Sequence, residues 1–385
     1  MKCLLPWVHV YHHSDGAIYP CCKLAGNKKF LLGTTDQKLD EVWNTSKLRE
    51  MRRGVIDGCM PRECVEHCFS GAQPFHFYFS NQYYDQQQLM FDQTSPSGYF
   101  ASPPRVFMIV NSNICNLKCL YCSEHYSNLI YIEKHGINKI YKTFDDPSDA
   151  TNLIRDNIDN IDCIVFAAGE SAIQDNYYDI MDLLYSSGKA DINIQFITNL
   201  TTLKYKDYDV VKCLKRFKNA TIIGSVDAVG RRQEFIRRNS RFEQIEANLN
   251  RVVSEGIKFV LQPVITNLNV SSLPDLHYMW FEKNLLRKDN IRYITLTTPE
   301  IFRVNNLPDY VKDIAISKLE KYCDFLKAET STDLNNCKPF DKIKSIIRCM
   351  QERNTKYTDL LFHLSEKTTM ADFYEIFPEF NYNTP

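Results

Sequence analysis

Short apolar runs alternate with amphipathic segments between residues 105 and 300. The apolar runs, which have the length and composition of buried strands, are VFMIV, CIVFAA, INIQFIT, ATIIGSV, KFVLQPVI and IRYITLT. The segments between them place apolar residues at helical spacing and are NLIRDNIDN, YYDIMDLLYSS, VVKCLKRF, EQIEANLNRVVSEG and LHYMWFEKNLL. Each strand and helix pair takes about 30 residues, the size of a strand-helix-strand unit. Because such units give parallel strands joined by helices, the pattern predicts an α/β fold with a partial (β/α)6 barrel.

The rest of the chain divides into three regions of different composition. Residues 1–75 are rich in cysteine and are predicted to form a small separate domain. Residues 76–104 contain Gln, Ser, Pro and aromatic residues without a helical or strand period, which predicts a linker. The barrel is predicted over residues 105–300, and residues 301–385 are predicted to form peripheral helices.

The composition is that of a globular protein. Of the 385 residues, 44% are hydrophobic and 24% are charged, and the formal net charge is -1. This balance lacks the basic excess that is typical of nucleic-acid-binding proteins. No apolar stretch reaches the about 18–20 residues that a membrane-spanning helix needs, and the segment after Met1 lacks a long signal-type core. We therefore expect a cytoplasmic protein with neither a membrane nor a nucleic acid as its partner.

The 14 cysteines suggest metal chemistry more than disulfides. Clustered cysteines in a reducing cytoplasm are more often metal ligands or catalytic groups. Cys115, Cys119 and Cys122 follow the VFMIV run with the spacing Cys-x3-Cys-x2-Cys. A structural zinc site would need a distant fourth ligand, whereas an iron-sulfur cluster held by three thiolates keeps one iron open for a small molecule. Since chemistry in such barrels lies at the C-terminal ends of strands, this trio is a candidate catalytic centre.

The segment CNLKCLYC resembles the cluster-binding motif of the radical S-adenosylmethionine (SAM) enzymes. In that family, Cys-x3-Cys-x-aromatic-Cys follows the first strand of a partial barrel, and here Tyr121 precedes the last cysteine. The resemblance implies that Cys115, Cys119 and Cys122 ligate a 4Fe-4S cluster whose open iron takes the amino and carboxylate groups of S-adenosyl-L-methionine. A zinc site or a purely structural site is the alternative.

Residues after the second and third predicted strands match further features of this family. The segment AAGES resembles the Gly-Gly-Glu segment, with Ala168 in place of the first glycine. This resemblance implies that Gly169 and Glu170 meet SAM, with the Glu170 carboxylate accepting from its ammonium group. The segment TNLT places Thr198 and Asn199 where the family contacts SAM through polar side chains, and an ordinary helix cap is the alternative.

The segment after the fourth predicted strand, GSVDAVGRRQEFIRR, resembles the Ser-x-Asp segment and downstream arginine of the peptide-modifying members. The resemblance implies that Ser225 and Arg237 bind the carboxylate of SAM, with Asp227 nearby. The other arginines of this segment are predicted to lie on a solvated helix face and are Arg231, Arg232 and Arg238.

The N-terminal cysteines resemble those of the SPASM and twitch auxiliary domains, which are small α+β iron-sulfur domains. Cys3, then Gly16, then four residues to Cys21 match the opening of these domains, and Cys64 and Cys68 match the closing pair. The resemblance implies an auxiliary 4Fe-4S cluster held by the four thiolates Cys3, Cys21, Cys64 and Cys68. The closing pair is Cys-x3-Cys instead of the usual Cys-x2-Cys, and Cys22 and Cys59 are additional thiols in the region. A zinc site with the same thiolates is the alternative.

Together these resemblances imply a radical SAM enzyme with an N-terminal auxiliary cluster. Such an enzyme cleaves SAM reductively, forms a 5'-deoxyadenosyl radical and abstracts hydrogen from a substrate. Relatives with such domains often act on peptides or proteins, which is the substrate class expected here, and others act on carbohydrates or nucleotides; the residues themselves do not select among these classes. They also imply an electron donor such as a flavodoxin or a ferredoxin. The alternative from a different class is a non-catalytic iron-sulfur protein for electron transfer or metal binding. The presence of Glu170, Ser225 and Arg237 after successive strands favours the enzyme, because a relay needs no SAM-binding residues.

Overall fold

The computed structural model describes residues 3–65, 82–288, 290–327, 339–352 and 356–381. The chain divides into two compact units. Unit 1 contains residues 1–116, 122–198 and 203–222, and unit 2 contains residues 117–121, 199–202 and 223–385. The domain limits drawn from the sequence stay a prediction.

The strands follow the predicted apolar runs and add short ones in the N-terminal region and between those runs. In chain order they are β1 (His9–His12), β2 (Ala17–Tyr19), β3 (Gly33–Thr34), β4 (Val106–Val110), β5 (Lys118–Cys119), β6 (Cys163–Ala167), β7 (Asn193–Thr198), β8 (Lys204–Tyr205), β9 (Tyr208–Asp209), β10 (Asn219–Gly224), β11 (Arg237–Arg238), β12 (Lys258–Leu261), β13 (Val264–Ile265) and β14 (Ile294–Thr295).

The helices occupy the amphipathic segments and the two flanking regions. They are α1 (Leu5–Val8), α2 (Leu39–Trp43), α3 (Ser46–Asp57), α4 (Arg62–Cys64), α5 (Gln82–Asp85), α6 (Gln87–Asp92), α7 (Asn128–His135), α8 (Pro147–Asn157), α9 (Asp175–Ser186), α10 (Val210–Leu214), α11 (Gly230–Ile236), α12 (Phe242–Ser254), α13 (Leu273–Glu282), α14 (Asp309–Lys327), α15 (Pro339–Gln351), α16 (Tyr357–Ser365) and α17 (Met370–Ile376). No helix in the described ranges is long and apolar enough to span a membrane.

Unit 1 is built on a sheet with the strand order β10-β7-β6-β4-β1-β2-β3. The pairs β4–β6 and β6–β7 are parallel, as the alternation of strands and helices predicts. Strand β1, from the cysteine-rich N-terminal region, pairs in parallel with β4, with His9 opposite Val106 and His12 opposite Ile109. The N-terminal region therefore extends the sheet that contains β4, the strand before Cys115.

The core of unit 1 explains why these runs become strands. All five residues of β4 and all five of β6 are buried, which is typical of parallel strands covered on both faces. In β7 the buried positions alternate, so that Ile194, Phe196 and Thr198 are buried. Side-chain caps start the intervening helices: Ser127 accepts from the N–H of Ile130 in α7, and Asp146 caps α8 ahead of a proline.

The predicted linker contains two short helices, α5 and α6, where no period was evident in the sequence. Tyr83 and Met90 are buried, so each helix contributes an apolar side chain that packing holds in place. The Tyr83 hydroxyl donates to Asp162 Oδ2 at 2.7 Å, and the Trp7 indole donates to Thr94 Oγ1 at 2.8 Å. The described part of this segment therefore contacts both the N-terminal region and the residue just before β6 in unit 1.

Unit 2 contains the parallel pair β13–β14, the antiparallel pair β11–β5 and helices α11 to α17. The prediction of a solvated arginine face holds for Arg231, whose side chain is 60% exposed, but is wrong for Arg232. The Arg232 guanidinium donates to Glu379 Oε1 at 2.7 Å and to Oε2 at 2.8 Å, with only 12% of its side chain exposed. A C-terminal carboxylate, distant in the sequence, covers this arginine.

Candidate functional site

The loop after β4 carries Cys115 and is held by a buried amide. The Asn113 Nδ2 donates to the carbonyl of Glu124 at 2.9 Å, and its Oδ1 accepts from the N–H of Tyr141 at 2.9 Å. The N–H of Cys115 donates to Asn128 Oδ1 at 3.1 Å. The role of Asn113 was not predictable from the sequence, because an asparagine in a loop gives no sign of which backbone groups it will meet.

A second amide, Gln174, joins the cysteine loop to Glu170. The Gln174 Nε2 donates to the carbonyl of Ile114 at 3.1 Å and to that of Glu170 at 3.0 Å. Its Oε1 accepts from Ser112 Oγ at 2.7 Å, and the side chain is buried. Gln174 stands only four residues after Glu170, and that proximity to AAGES is the one signal that could have pointed to it.

Gly169 lies where no side chain fits. Its N–H donates to the carbonyl of Ser112 at 2.9 Å, and the N–H of Glu170 donates to that of Ile114 at 2.9 Å. A Cβ at residue 169 would stand 2.4 Å from the Ile114 oxygen and 2.8 Å from the Asn113 oxygen. The glycine thus permits the close approach of two backbone segments beside the Cys115 loop.

The Glu170 carboxylate is buried at the end of β6 and is oriented by two donors. Its Oε1 accepts from the N–H of Ala172 at 2.9 Å and from the hydroxyl of Thr198 at 2.6 Å. Thr198 is the last residue of β7, so two of the predicted SAM contacts touch each other at adjacent strand ends. A buried carboxylate held in this way suits a cationic ligand group.

Asn199 and Ser225 belong to unit 2. The Asn199 Oδ1 accepts from the N–H and the hydroxyl of Thr201 at 2.9 and 2.6 Å, so this side chain shapes the turn after β7. Leu200 in the same turn has a φ of 61°, a conformation that such local bonds support. Ser225 directly follows β10 and is partly exposed.

Asp227 and Arg237 form a buried ion pair in unit 2. The Arg237 Nε donates to Asp227 Oδ2 at 2.8 Å, and Nη2 donates to Oδ1 at 3.2 Å. The Tyr121 hydroxyl donates to Oδ2 at 2.6 Å, and the N–H of Val264 donates to Oδ1 at 2.9 Å. Asp227 is fully buried, and four donors around one carboxylate satisfy both of its oxygens. Both residues are predicted site residues, but their pairing was not predicted from the sequence.

The same arginine lies next to Cys119. Residues 237 and 119 are directly opposite in the antiparallel pair β11–β5, so their side chains point to the same face. Burial raises the pKa of the Cys119 thiol, and the positive charge of Arg237 is the largest effect that acts to lower it. Burial alone would lower the pKa of Arg237, but Asp227, Tyr121 and Cys119 outweigh it and raise that pKa well above its usual value.

The described N-terminal cysteines of the predicted set lie before α1, after β2 and at the end of α4. Cys21 is buried two residues after β2, and Cys64 is the last residue of α4. Helix α4 packs against the 3₁₀ turn Cys22–Leu24, which directly follows Cys21. Cys3 precedes α1, while Cys68, the fourth predicted ligand, lies outside the described residues. The predicted set Cys3, Cys21, Cys64 and Cys68 therefore stays a prediction.

The chemistry of the donor set fits a cluster at Cys115, Cys119 and Cys122. All three carry thiols and not disulfide sulfurs, and a cationic side chain stands beside the buried one. In the described ranges no three His, Cys, Asp or Glu side chains are arranged around a single metal ion. A 4Fe-4S cluster does not need such convergence, because its thiolates bind different irons.

Comparison with protein families gives two matches. Residues 109–279 match the model of the radical SAM superfamily, and residues 3–69 match that of SPASM, an iron-sulfur cluster-binding domain. The first match contains the cysteine trio and all the predicted SAM contacts, and the second contains the four predicted auxiliary ligands. Comparison with curated proteins gives no match.

Several solved structures are similar to this chain at low identity. One is native anSMEcpe with bound AdoMet, with 19% identity, a TM-score of 0.43, and coverage of 58% of this chain and 60% of that chain. Another is Streptococcus suis SuiB bound to S-adenosylmethionine, with 15% identity, a TM-score of 0.45, and coverage of 65% and 54%. SuiB bound to precursor peptide SuiA has 14% identity, a TM-score of 0.45, and coverage of 73% and 59%. The chain thus spans less than two thirds of the length of these structures.

Two family models match this chain, and the matched ranges include the predicted site residues. The predicted α/β fold with a partial barrel-like parallel sheet is confirmed. The predicted cofactors are likewise confirmed at the level of the domains. The chain contains a radical SAM domain, whose cofactors are a 4Fe-4S cluster and S-adenosyl-L-methionine, together with a SPASM-type domain that supports an auxiliary cluster.

Proposed function

We propose that this protein cleaves SAM reductively and abstracts hydrogen from a peptide or protein substrate, assisted by an auxiliary cluster. The observation that carries the proposal is the buried Glu170 carboxylate, which Thr198 orients and Gln174 ties to the loop of Cys115. A non-catalytic electron carrier would gain nothing from a buried carboxylate fixed beside its cluster loop. A SAM-binding site needs such an acceptor for the ammonium group.

Each side chain of the site has a part in binding or orientation. When bound, a 4Fe-4S cluster and SAM would together supply reductive cleavage of the sulfonium to methionine and a 5'-deoxyadenosyl radical. Cys115, Cys119 and Cys122 hold the cluster, and Glu170 accepts from the SAM ammonium while Thr198 fixes its orientation. Gly169 lets the backbone approach the cluster loop, Asn199 shapes the adjacent turn, and Ser225 donates to the SAM carboxylate.

The auxiliary domain and the substrate complete the proposal. Cys3, Cys21, Cys64 and Cys68 hold the auxiliary cluster, in a domain that precedes the barrel. The peptide class is supported by the Ser225-to-Arg237 segment, which resembles that of the peptide-modifying members. A flavodoxin or a ferredoxin would supply the electron, and the auxiliary cluster would accept an electron from the substrate radical, relay electrons or bind substrate.

We expect the Glu170→Gln variant to bind SAM about 10- to 100-fold more weakly. The amide keeps the size of the side chain and an acceptor for Thr198 and Ala172, but it loses the negative charge opposite the ammonium. A hydrogen bond to a charged group contributes about 1.5–3 kcal/mol, and about 1.4 kcal/mol is a factor of ten. Equilibrium dialysis with labelled SAM on the anaerobically reconstituted protein measures the dissociation constant.

Glu124→Gln is the matched control for this prediction. Its carboxylate follows the same cysteine loop but pairs with Lys134 near the surface, at 3.1 Å. We expect its SAM affinity to equal that of the wild type. Equal affinities for wild type and Glu170→Gln would remove Glu170 from the SAM site.

The function itself is tested by the effect of SAM on the reduced cluster. We expect added SAM to change the electron paramagnetic resonance (EPR) signal of the reduced, reconstituted protein, because its amino and carboxylate groups bind the open iron. This measurement requires no substrate, so it does not depend on knowing the peptide. An unchanged signal at full iron and sulfide loading, with no 5'-deoxyadenosine formed, would instead support an electron carrier.

A further inference from the structure

The Asp227–Arg237 pair places a buried charge couple beside one of the proposed cluster ligands. Arg237 is opposite Cys119 in the β11–β5 pair, and its guanidinium lies over the Tyr121 ring at 5.6 Å from the ring centroid. Tyr121 stands between Cys119 and Cys122 in the sequence. The arginine is therefore fixed by contacts to the cysteine segment itself, in addition to its ion pair.

Asp227 restricts the orientation of the Arg237 guanidinium. It accepts from both Nε and Nη2 of the guanidinium, in a forked arrangement that holds the planar group in one orientation. The Tyr121 hydroxyl and the Val264 N–H fill the remaining acceptor positions of Asp227. Two of the three guanidinium nitrogens are thus committed to the protein before any ligand binds.

The reduction potential of an iron-sulfur cluster depends on net charge, on nearby hydrogen bonds and on burial. A positive charge beside a ligating thiolate stabilises the reduced cluster, which carries one more negative charge. Arg237 is directly opposite Cys119 in the β11–β5 pair, whereas Asp227 lies outside that pair. Water screens little at a buried site, so we assign the larger influence on Cys119 to the charge carried by the residue opposite it.

We propose that Arg237, oriented by Asp227, is a positioning residue that holds the Cys119–Tyr121 segment and raises the reduction potential of the cluster at Cys115, Cys119 and Cys122. The inference rests on the proposed cluster site. It gives Arg237 a role that is exerted before SAM binds, whereas the resemblance implied only a contact with the SAM carboxylate. Surrounding partners of a metal site commonly tune the metal in this way.

The test is an EPR-monitored redox titration of the reconstituted full chain without SAM. The signal to follow is the one that Cys119→Ala protein lacks, which separates it from the auxiliary cluster. We expect Arg237→Gln to shift the midpoint to lower potential, because the cation is lost. We expect Asp227→Asn to shift it to higher potential, because the cation loses its counter-charge. Opposite shifts from the two members of one ion pair cannot arise from loosened packing alone.

Three further variants control the titration. Arg231→Gln makes the same charge change at an exposed side chain and should leave the midpoint unchanged. Tyr121→Phe removes one hydrogen bond to Asp227 without a charge change. It should shift the midpoint less than Arg237→Gln or Asp227→Asn does. If Arg237→Gln fails to load a cluster, Arg237→Lys retains the cation and should keep the wild-type midpoint, while Asp227→Asn still tests the charge effect and an Asp227→Asn midpoint at or below that of the wild type would overturn the inference.

The outcomes separate this inference from the proposed function. Absence of any EPR signal that depends on Cys119 would contradict the proposed cluster site. A Cys119-dependent signal would support the cluster site. If its midpoint were equal in wild type, Arg237→Gln and Asp227→Asn, or moved in the same direction in both variants, the proposed function would stand and the inference about Arg237 would be overturned. Weaker SAM binding by Arg237→Gln with an unchanged midpoint would overturn it too, since Arg237 would then act on the SAM carboxylate.

Discussion

Cys119→Ala protein will load no SAM-binding cluster and will form no 5'-deoxyadenosine above background. Cys119 is the buried member of the trio, at the end of β5 and opposite Arg237. Without its thiolate, Cys115 and Cys122 supply only two ligands, and the buried arginine loses the anion beside it. Iron and sulfide analysis, EPR spectroscopy and quantification of 5'-deoxyadenosine under reducing, anaerobic conditions measure these losses.

Two cysteine variants serve as controls for Cys119→Ala. Cys64→Ala, in the proposed auxiliary site, should keep the barrel cluster and its response to SAM. Cys213→Ala, in α10 and far from the motif in sequence, should retain both clusters and full SAM cleavage. Undiminished 5'-deoxyadenosine formation by Cys119→Ala would refute the cluster assignment.

Gly169→Ala will reduce the rate of SAM cleavage by about 100-fold, in line with the cost of displacing catalytic groups by about 1 Å. The added Cβ would lie 2.4 Å from the oxygen and 2.7 Å from the carbon of Ile114, and 2.8 Å from the oxygen of Asn113. These are all backbone atoms, so no side-chain rotation relieves the clash, and the loop before Cys115 must move. Since Glu170 is the next residue, cluster loading and SAM binding should both decline.

Gly188→Ala is the matched control for Gly169→Ala. Gly188 is in the same unit and has a φ of +75°, and an added Cβ there would meet no described atom within 4 Å. Alanine at this position should lower the free energy of unfolding by about 1–2 kcal/mol, because a residue with a Cβ is strained in the left-handed conformation. It should not alter the rate of SAM cleavage per loaded cluster. Equal rates per cluster for both variants would mean that the close approach at Gly169 does not position Cys115.

The local pattern of hydrophobic and polar residues was enough to predict most of the helices and strands. The run VFMIV became β4 and CIVFA became β6, since both are entirely buried. The amphipathic segments became α8, α9 and α12. The run VVKCLKRF predicted a longer helix than α10, which ends at Leu214. The run IRYITLT supplied only the two residues of β14: its alternate N–H groups donate to the carbonyls of residues 261, 263 and 265, but Pro263 in that facing segment has no N–H to return a bond.

Contacts between distant segments were not predictable from such patterns. The parallel pairing of β1 with β4 joins His9 to Val106, and nothing in HVYH indicates a partner so far along the chain. The amide of Gln174 and that of Asn113 meet backbone carbonyls that only the folded loop brings near. Arg232 was predicted to be solvated and is covered by Glu379 because the C-terminal segment returns to α11.

The sequence alone determined the types and spacing of the reactive groups: three cysteines after the first barrel strand, Gly169 and Glu170 after the next, and Asp227 and Arg237 further on. Periodicity and residue chemistry are local properties, so they can be obtained from the linear chain. Only the tertiary structure decided that Glu170 binds Thr198, and that Arg237 is committed to Asp227 beside Cys119. Those interactions depend on distances between segments far apart in sequence, which close packing fixes and composition does not encode.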